Sequence, residues 1–139
     1  MRIENKLYDT IKKSMPIPCV DLLVNYAGNL LLMLRNNEPG KDLWFVPGGR
    51  IYRNESLEEA VKRVLIEETG LQPTKITQVS TIAHMWPEAH TVTTYYKVEV
   101  DPDKVRPDKQ HRDYRWINTM EDGLHPYLVE MIENTGLFR

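Results

Sequence analysis

Apolar and polar residues follow two rhythms along the chain, and each predicts a kind of element. Period two is clearest at 92–100: Val92, Thr94, Tyr96, Val98 and Val100 share one face, and Thr93, Tyr95, Lys97 and Glu99 the other. That alternation is the signature of a strand. Shorter apolar runs at Val20–Val24 and Leu30–Arg35, separated by Asn-Tyr-Ala-Gly-Asn, predict two strands and a turn. Trp44–Val46, about Ile76 to Met85, and Tyr114–Ile117 complete the strand candidates. Helical spacing appears three times. Residues 4–14 place Leu7, Tyr8 and Ile11 opposite Lys6, Lys12 and Lys13, with Pro16 and Pro18 beyond. From Leu57 the residues Ala60, Val61, Val64 and Leu65 continue one apolar face. Pro126–Asn134 turns Leu128, Met131 and Ile132 inward, with Gly136 after its end. The order predicts a mixed sheet between helices, of α/β (α+β) class.

The central helix carries its own boundaries. Ser56 followed by Glu59 is a capping box, so the helix starts at Leu57, and Gly70 stops it. Arg63 and Glu67 stand four apart and can pair. The 36–42 and 101–112 segments are polar and proline-bearing, and exposed loops are expected there.

Composition narrows the function classes. At 139 residues, one domain over 1–139 with a substantial core is expected. Eighteen basic and 20 acidic side chains leave a net charge of −2 without a long run of either sign, so neither a nucleic-acid surface nor a membrane patch is expected. The single Cys19 rules out an internal disulfide and suits a reducing compartment. No apolar stretch approaches a membrane span and the N-terminus lacks a signal-peptide core, so a cytoplasmic protein is expected.

Between Trp44 and Leu71 the residues Gly49, Glu55, Arg63, Leu65, Glu67, Glu68, Gly70 and Leu71 hold a fixed register that resembles the Nudix box, G-x5-E-x7-R-E-U-x-E-E-x-G-U with U aliphatic. One position departs: Val64 stands where the box has a glutamate, so one of two neighbouring carboxylates is missing. Three segments extend the resemblance to the GDP-mannose mannosyl hydrolases: Ser14-Met-Pro with Asp21, Trp44 to Arg50, and Pro107 to Trp116. That family also lacks the glutamate. Its members hydrolyse a GDP-hexose to GDP and free sugar by water attack at the anomeric carbon, with inversion.

The resemblance implies a Nudix fold and Mg2+ held by the Gly48 carbonyl, Glu68 and Gln110, which are hard oxygen donors suited to that ion. It implies Arg35 and Arg50 on the departing diphosphate, His111 as general base on a flexible polar loop, and Asp21, His84 and Tyr96 against substrate. Arg2, Ile3 and Tyr8 align with nucleotide-binding residues, and a homodimer is implied. Read from the residues alone, His84 on a strand is equally a hydrogen-bonded core histidine, Tyr96 equally ordinary sheet packing, and Arg35 a strand-end charge. His90 and His125 read as solvated. The chemistry is coherent: diphosphate is a good leaving group once neutralised, so a cation and two arginines replace the acid an ordinary glycosidase needs, leaving one base.

Two other readings compete. A conventional Nudix pyrophosphatase would attack phosphorus, and Val64 argues against it because that chemistry gathers more carboxylates. An inactive Nudix-like module sensing a nucleotide would explain the lost glutamate as decay.

Overall fold

The computed structural model describes residues 3–101 and 103–138. Three helices, α1 (Asn5–Ser14), α2 (Leu57–Thr69) and α3 (Pro126–Thr135), accompany seven strands: β1 (Ile17–Tyr26), β2 (Asn29–Arg35), β3 (Trp44–Phe45), β4 (Gly48–Arg50), β5 (Pro73–Met85), β6 (His90–Val100) and β7 (His111–Ile117). All seven strands belong to one mixed sheet.

The sheet is forked. β1 and β2 form a hairpin over Ala27 and Gly28, both at positive φ, but pair only at Asn25↔Leu30 and Tyr26↔Asn29. Beyond that point β2 goes to β3 and β7, whereas β1 runs parallel to β6 and takes β4 on its other edge, with Asp21↔Gly48 and Cys19↔Arg50 in register. β5 pairs antiparallel with β6.

Each face has its own core. Val20, Leu22 and Val24 of β1 pack with Tyr96 and Val98 against Ala60, Val61, Val64 and Leu65 of α2. Leu23, Leu30, Leu32 and Tyr95 pack against Leu128, Met131 and Ile132 of α3. The sheet lies between helices, as the apolar rhythm predicts. At period two, the odd-numbered residues of β1 face α3 and the even-numbered ones face α2.

Several expectations are corrected. Leu57 opens α2 but is 37% exposed, and Leu71, past the Gly70 cap at φ 74°, is buried instead. Leu7 is 52% exposed, and α1 fully buries none of its side chains. Gly48–Arg50 forms a short strand of its own. A Cβ on Gly48 would meet the Asp21 carboxylate and come within 2.8 Å of the Val20 carbonyl oxygen, so glycine is what lets β4 close on β1. The 101–112 segment is not wholly exposed: Val105 is buried, Arg106 N–H donates to the Thr69 carbonyl at 2.8 Å, and β7 begins at His111. No helix among the described residues is long and apolar enough to cross a membrane.

Candidate active site

Where β1 and β2 part, a cavity of about 450 Å³ opens. β1 contributes Ile17, Cys19 and Asp21, β6 contributes Thr91 and Thr93, the other branch contributes Arg35 and Phe45, and α2 contributes Val64, Glu67 and Glu68.

The loop feeding this wall is pinned by an arginine. Arg63 Nε donates to Glu55 Oε2 at 2.6 Å, and its Nη2 donates to Glu55 Oε1 and to the Arg50 carbonyl, both at 2.9 Å. Its guanidinium lies 3.6 Å from the centre of the Tyr52 ring, and Tyr52 N–H donates to Glu55 Oε1. These bonds hold the Glu55 carboxyl below its usual range, with Arg63 the main cause. Glu55 is therefore a structural partner. The expected Arg63–Glu67 pair is present at 3.4 Å, with the Glu67 side chain 47% exposed.

Glu68 stands apart from its neighbour. It is 5% exposed and accepts from the Gly48 N–H at 3.3 Å. Burial raises its pKa well above the usual value, with the Asp108 charge adding and Arg35 opposing. Asp21, buried across from Gly48, is pushed up to about 7 by burial, with Arg35 again opposing. A desolvated carboxylate is costly without a counter-charge. Val64, one turn before Glu68, is buried under Gly49 and offers nothing to a cation. Among the described residues no cluster of three or more His, Cys, Asp or Glu could hold a metal. Glu68, Gln110 and Gly48, the expected ligands, all line the cavity, and between them they would offer one carboxylate, one amide and one carbonyl oxygen as a donor set. That set fits Mg2+, which takes one or two carboxylates and keeps several waters.

His111 is buried at the start of β7 rather than on an exposed loop, which corrects the expectation for it. It is 4% exposed, and its ring is not part of the cavity lining, although the neighbouring Gln110 is. Nδ1 lies 2.9 Å from Asp108 Oδ1, which places the ring proton there; Nε2 is 3.7 Å from Glu68 Oε1 and has no hydrogen-bond partner among the described residues. Burial lowers the imidazole pKa, and Asp108 opposes that shift. The backbone bond from Asn36 N–H to the Gln110 carbonyl, 2.8 Å, ties this segment to the end of β2.

The remaining expected residues divide. Arg35, its Nε donating to the Pro39 carbonyl at 2.7 Å, lines the cavity. So does Arg50, which sits 5.3 Å from the Tyr8 ring and 4.5 Å from the Tyr52 ring. Ile3 and Tyr8 line it too, while Arg2 lies outside the described residues. His84 lines the cavity and is buried, stacked on Tyr127 at 4.1 Å; its Nε2 has no partner, and burial pushes its pKa down to about 4. It is not a hydrogen-bonded core histidine through that nitrogen. Tyr96 is not brought to the cavity. The β6 alternation turns it toward α2, and its hydroxyl meets Gln78 at 3.4 Å. His125 is not merely solvated, since its Nδ1 accepts from the Tyr127 N–H at the start of α3. Sequence reasoning missed Asp108 and Trp86. A spacing of three from His111 hinted at the first; the second gave no signal beyond being aromatic.

The NUDIX domain family model matches residues 15–131. The chain is 32% identical over 140 residues to the low-salt glycan biosynthesis protein Agl8 of Haloferax volcanii, covering 95% of this chain and 90% of that protein. A 58-residue stretch, 42% of this chain and 34% of the other, is 41% identical to an ADP-ribose pyrophosphatase of Methanocaldococcus jannaschii. Among solved structures, a MutT Nudix hydrolase from Burkholderia pseudomallei shares the fold at a TM-score of 0.78 and 22% identity, covering 87% of this chain and 98% of that one. The Nudix domain of Shewanella oneidensis NrtR, solved with ADP ribose, superposes at 0.72 with 25% identity, covering 96% and 97%. With the box helix, its arginine clasp and the forked mixed sheet all in place, the chain belongs to the Nudix hydrolase family.

Proposed function

We propose that this protein hydrolyses a GDP-hexose, GDP-mannose or GDP-glucose, to GDP and free sugar by attack of water at the anomeric carbon with inversion. The observation that carries the reading is Val64: buried and packed under Gly49, it leaves Glu68 as the one buried carboxylate that α2 directs at the cavity. With one carboxylate fewer on α2 than the box provides, the site suits charge neutralisation of a leaving group better than activation of water for attack on phosphorus. Relatedness to a protein named for glycan biosynthesis agrees with a sugar-linked substrate.

In this reading Glu68, Gln110 and the Gly48 carbonyl would hold Mg2+, which would supply positive charge to the departing diphosphate. Arg35 and Arg50, in the same cavity, share that charge and orient the leaving group. His111 Nε2 takes the proton from water, because Nδ1 is committed to Asp108 and Nε2 keeps a lone pair without a protein partner. Asp108 then stabilises the imidazolium as it forms. Inversion needs no covalent intermediate, and so no second carboxylate nucleophile.

Hydrolysis of GDP-mannose in oxygen-18 water is the test. Label in the free sugar supports attack at carbon; label in a phosphate product establishes the pyrophosphatase reading, which Glu67 and Glu68 in one cavity and the similarity to an ADP-ribose pyrophosphatase favour. Tight binding of nucleotide sugars without turnover would make the chain a sensor.

A further inference from the structure

The cavity has two chemically different parts. One is charged, with Arg35, Arg50 and Lys12 in its lining together with the carboxylates of Asp21, Glu67 and Glu68. The other is aromatic and uncharged. Trp86 packs 5.6 Å from Phe45 and 5.9 Å from His84, centre to centre and nearly edge-on, and all three line the cavity. Beside them are Thr91 and Thr93, both buried, with the Thr93 hydroxyl donating to that of Thr91 at 3.2 Å. Register makes this one continuous patch, because His84 pairs with Thr91 across β5 and β6.

We propose that this patch receives the hexopyranosyl ring, with Trp86 as the residue that determines sugar specificity; the proposal rests on the nucleotide-sugar reading above. A pyranose has apolar C–H faces and a polar rim of hydroxyls, so it needs an aromatic face beside hydroxyl partners. The patch supplies both. The Thr91 and Thr93 hydroxyls can each accept or donate, and the unpartnered Nε2 of buried His84 is a further polar atom in the same wall. Charged groups, which a diphosphate requires, belong to the other part. Trp86 is also held still. The turn to β6 is only Trp86-Pro-Glu-Ala, closed by Trp86 N–H to the Ala89 carbonyl at 2.9 Å, with Ala89 N–H returning to the Trp86 carbonyl at 3.4 Å. A fixed indole discriminates between epimers by shape, where a mobile loop would adapt.

The test compares two ligands on the full chain with Mg2+ present. Displacement of fluorescent mant-GDP is measured for GDP and for the analogue of GDP-mannose in which methylene replaces the anomeric oxygen, which cannot be cleaved at that bond. Trp86→Ala is expected to weaken the analogue about tenfold while leaving GDP within about twofold, as loss of an aromatic contact would. Should Trp86→Ala fail to fold by circular dichroism, Thr91→Val removes one hydroxyl at nearly constant shape, and the same split is expected. If GDP weakens in step with the analogue, the patch holds the base or phosphates and the proposal is overturned. It is equally overturned if neither ligand responds. The measurement does not depend on which bond breaks, so a failure of the carbon-attack reading in oxygen-18 water stays distinguishable.

Discussion

His111 and Asp108 face each other across a single turn, with Nδ1 2.9 Å from Oδ1, while the opposite imidazole nitrogen faces Glu68 at 3.7 Å. The carboxylate holds the ring in one tautomer and aims its lone pair toward the buried carboxylate of α2. In the proposed reaction Nε2 is the base and Asp108 fixes the tautomer, although in this structure Nε2 is buried outside the cavity lining.

Replacing that base should remove most of the turnover. His111→Ala is expected to lower kcat by about a hundred- to ten-thousand-fold while keeping most affinity for GDP and Mg2+. Asp108→Asn, which keeps the shape but weakens the grip on the Nδ1 proton, should give a smaller loss, in kcat rather than KM. Steady-state kinetics with GDP-mannose decide it, and normal turnover by His111→Ala would return the search for the base to Glu67, since Glu55 is committed to Arg63.

Glu68 and Glu67 are adjacent in sequence and opposite in environment. Glu68→Gln should abolish the thermal shift produced by Mg2+. In metal-free buffer it should raise stability by on the order of 1 kcal/mol, because a buried charge without a cation is removed. Glu67→Gln, on a side chain about half exposed, should change metal response little. Calorimetry with and without Mg2+ separates the two, and equal damage from both variants would overturn the assignment.

The Arg63–Glu55 clasp should be visible as coupling. Both side chains are largely buried, at 19% and 13% exposure, so Arg63→Ala is expected to cost about 2–3 kcal/mol by leaving Glu55 unpaired. Arg63→Lys keeps the charge but cannot make both bonds to the carboxylate, and should recover only part of the loss. In urea unfolding the Arg63→Ala/Glu55→Gln double variant should lose less than the two single losses added. Simple additivity would show the clasp contributes little.

His84 should titrate far below an ordinary histidine. Its folded pKa is pushed down to about 4 by burial, with His125 beside it adding to the shift; Trp86 and Tyr127, which also pack on the ring, carry no charge. Unfolded, it titrates near ~6.5. The unfolded chain thus binds more protons between these values, so the stability His84 contributes is complete above about 6.5 and is lost as pH falls toward 4. The loss should reach at most about 3 kcal/mol. Asp21, raised to about 7, works in the opposite direction over part of the range, so the comparison is between wild type and His84→Asn. The variant should show the shallower acid loss. An NMR titration placing the His84 midpoint above 6 would refute the expectation.

The sequence by itself determined whatever depends on a few neighbouring residues. The Ser56–Glu59 capping box forms reciprocally, Gly70 caps α2 in the left-handed region, and the inward residues of α3 are the ones its spacing names. These features follow from hydrogen bonds three residues apart, from the φ that glycine alone adopts freely, and from a helical or strand period. Even the placement of Tyr96 toward α2 was implicit in the alternation of β6, although the family resemblance pointed toward substrate. The tertiary structure decided which distant groups share one desolvated space. It is the fork of β1 from β2 that sets Asp21 against Gly48, and the return of β7 along β2 that buries His111 beside Glu68. Burial of this kind is a property of the packed sheet and helices together. It raises Asp21 and Glu68, lowers His84 and His111, and makes a wall of Trp86, and no local pattern records it because desolvation depends on every element that excludes water from the site.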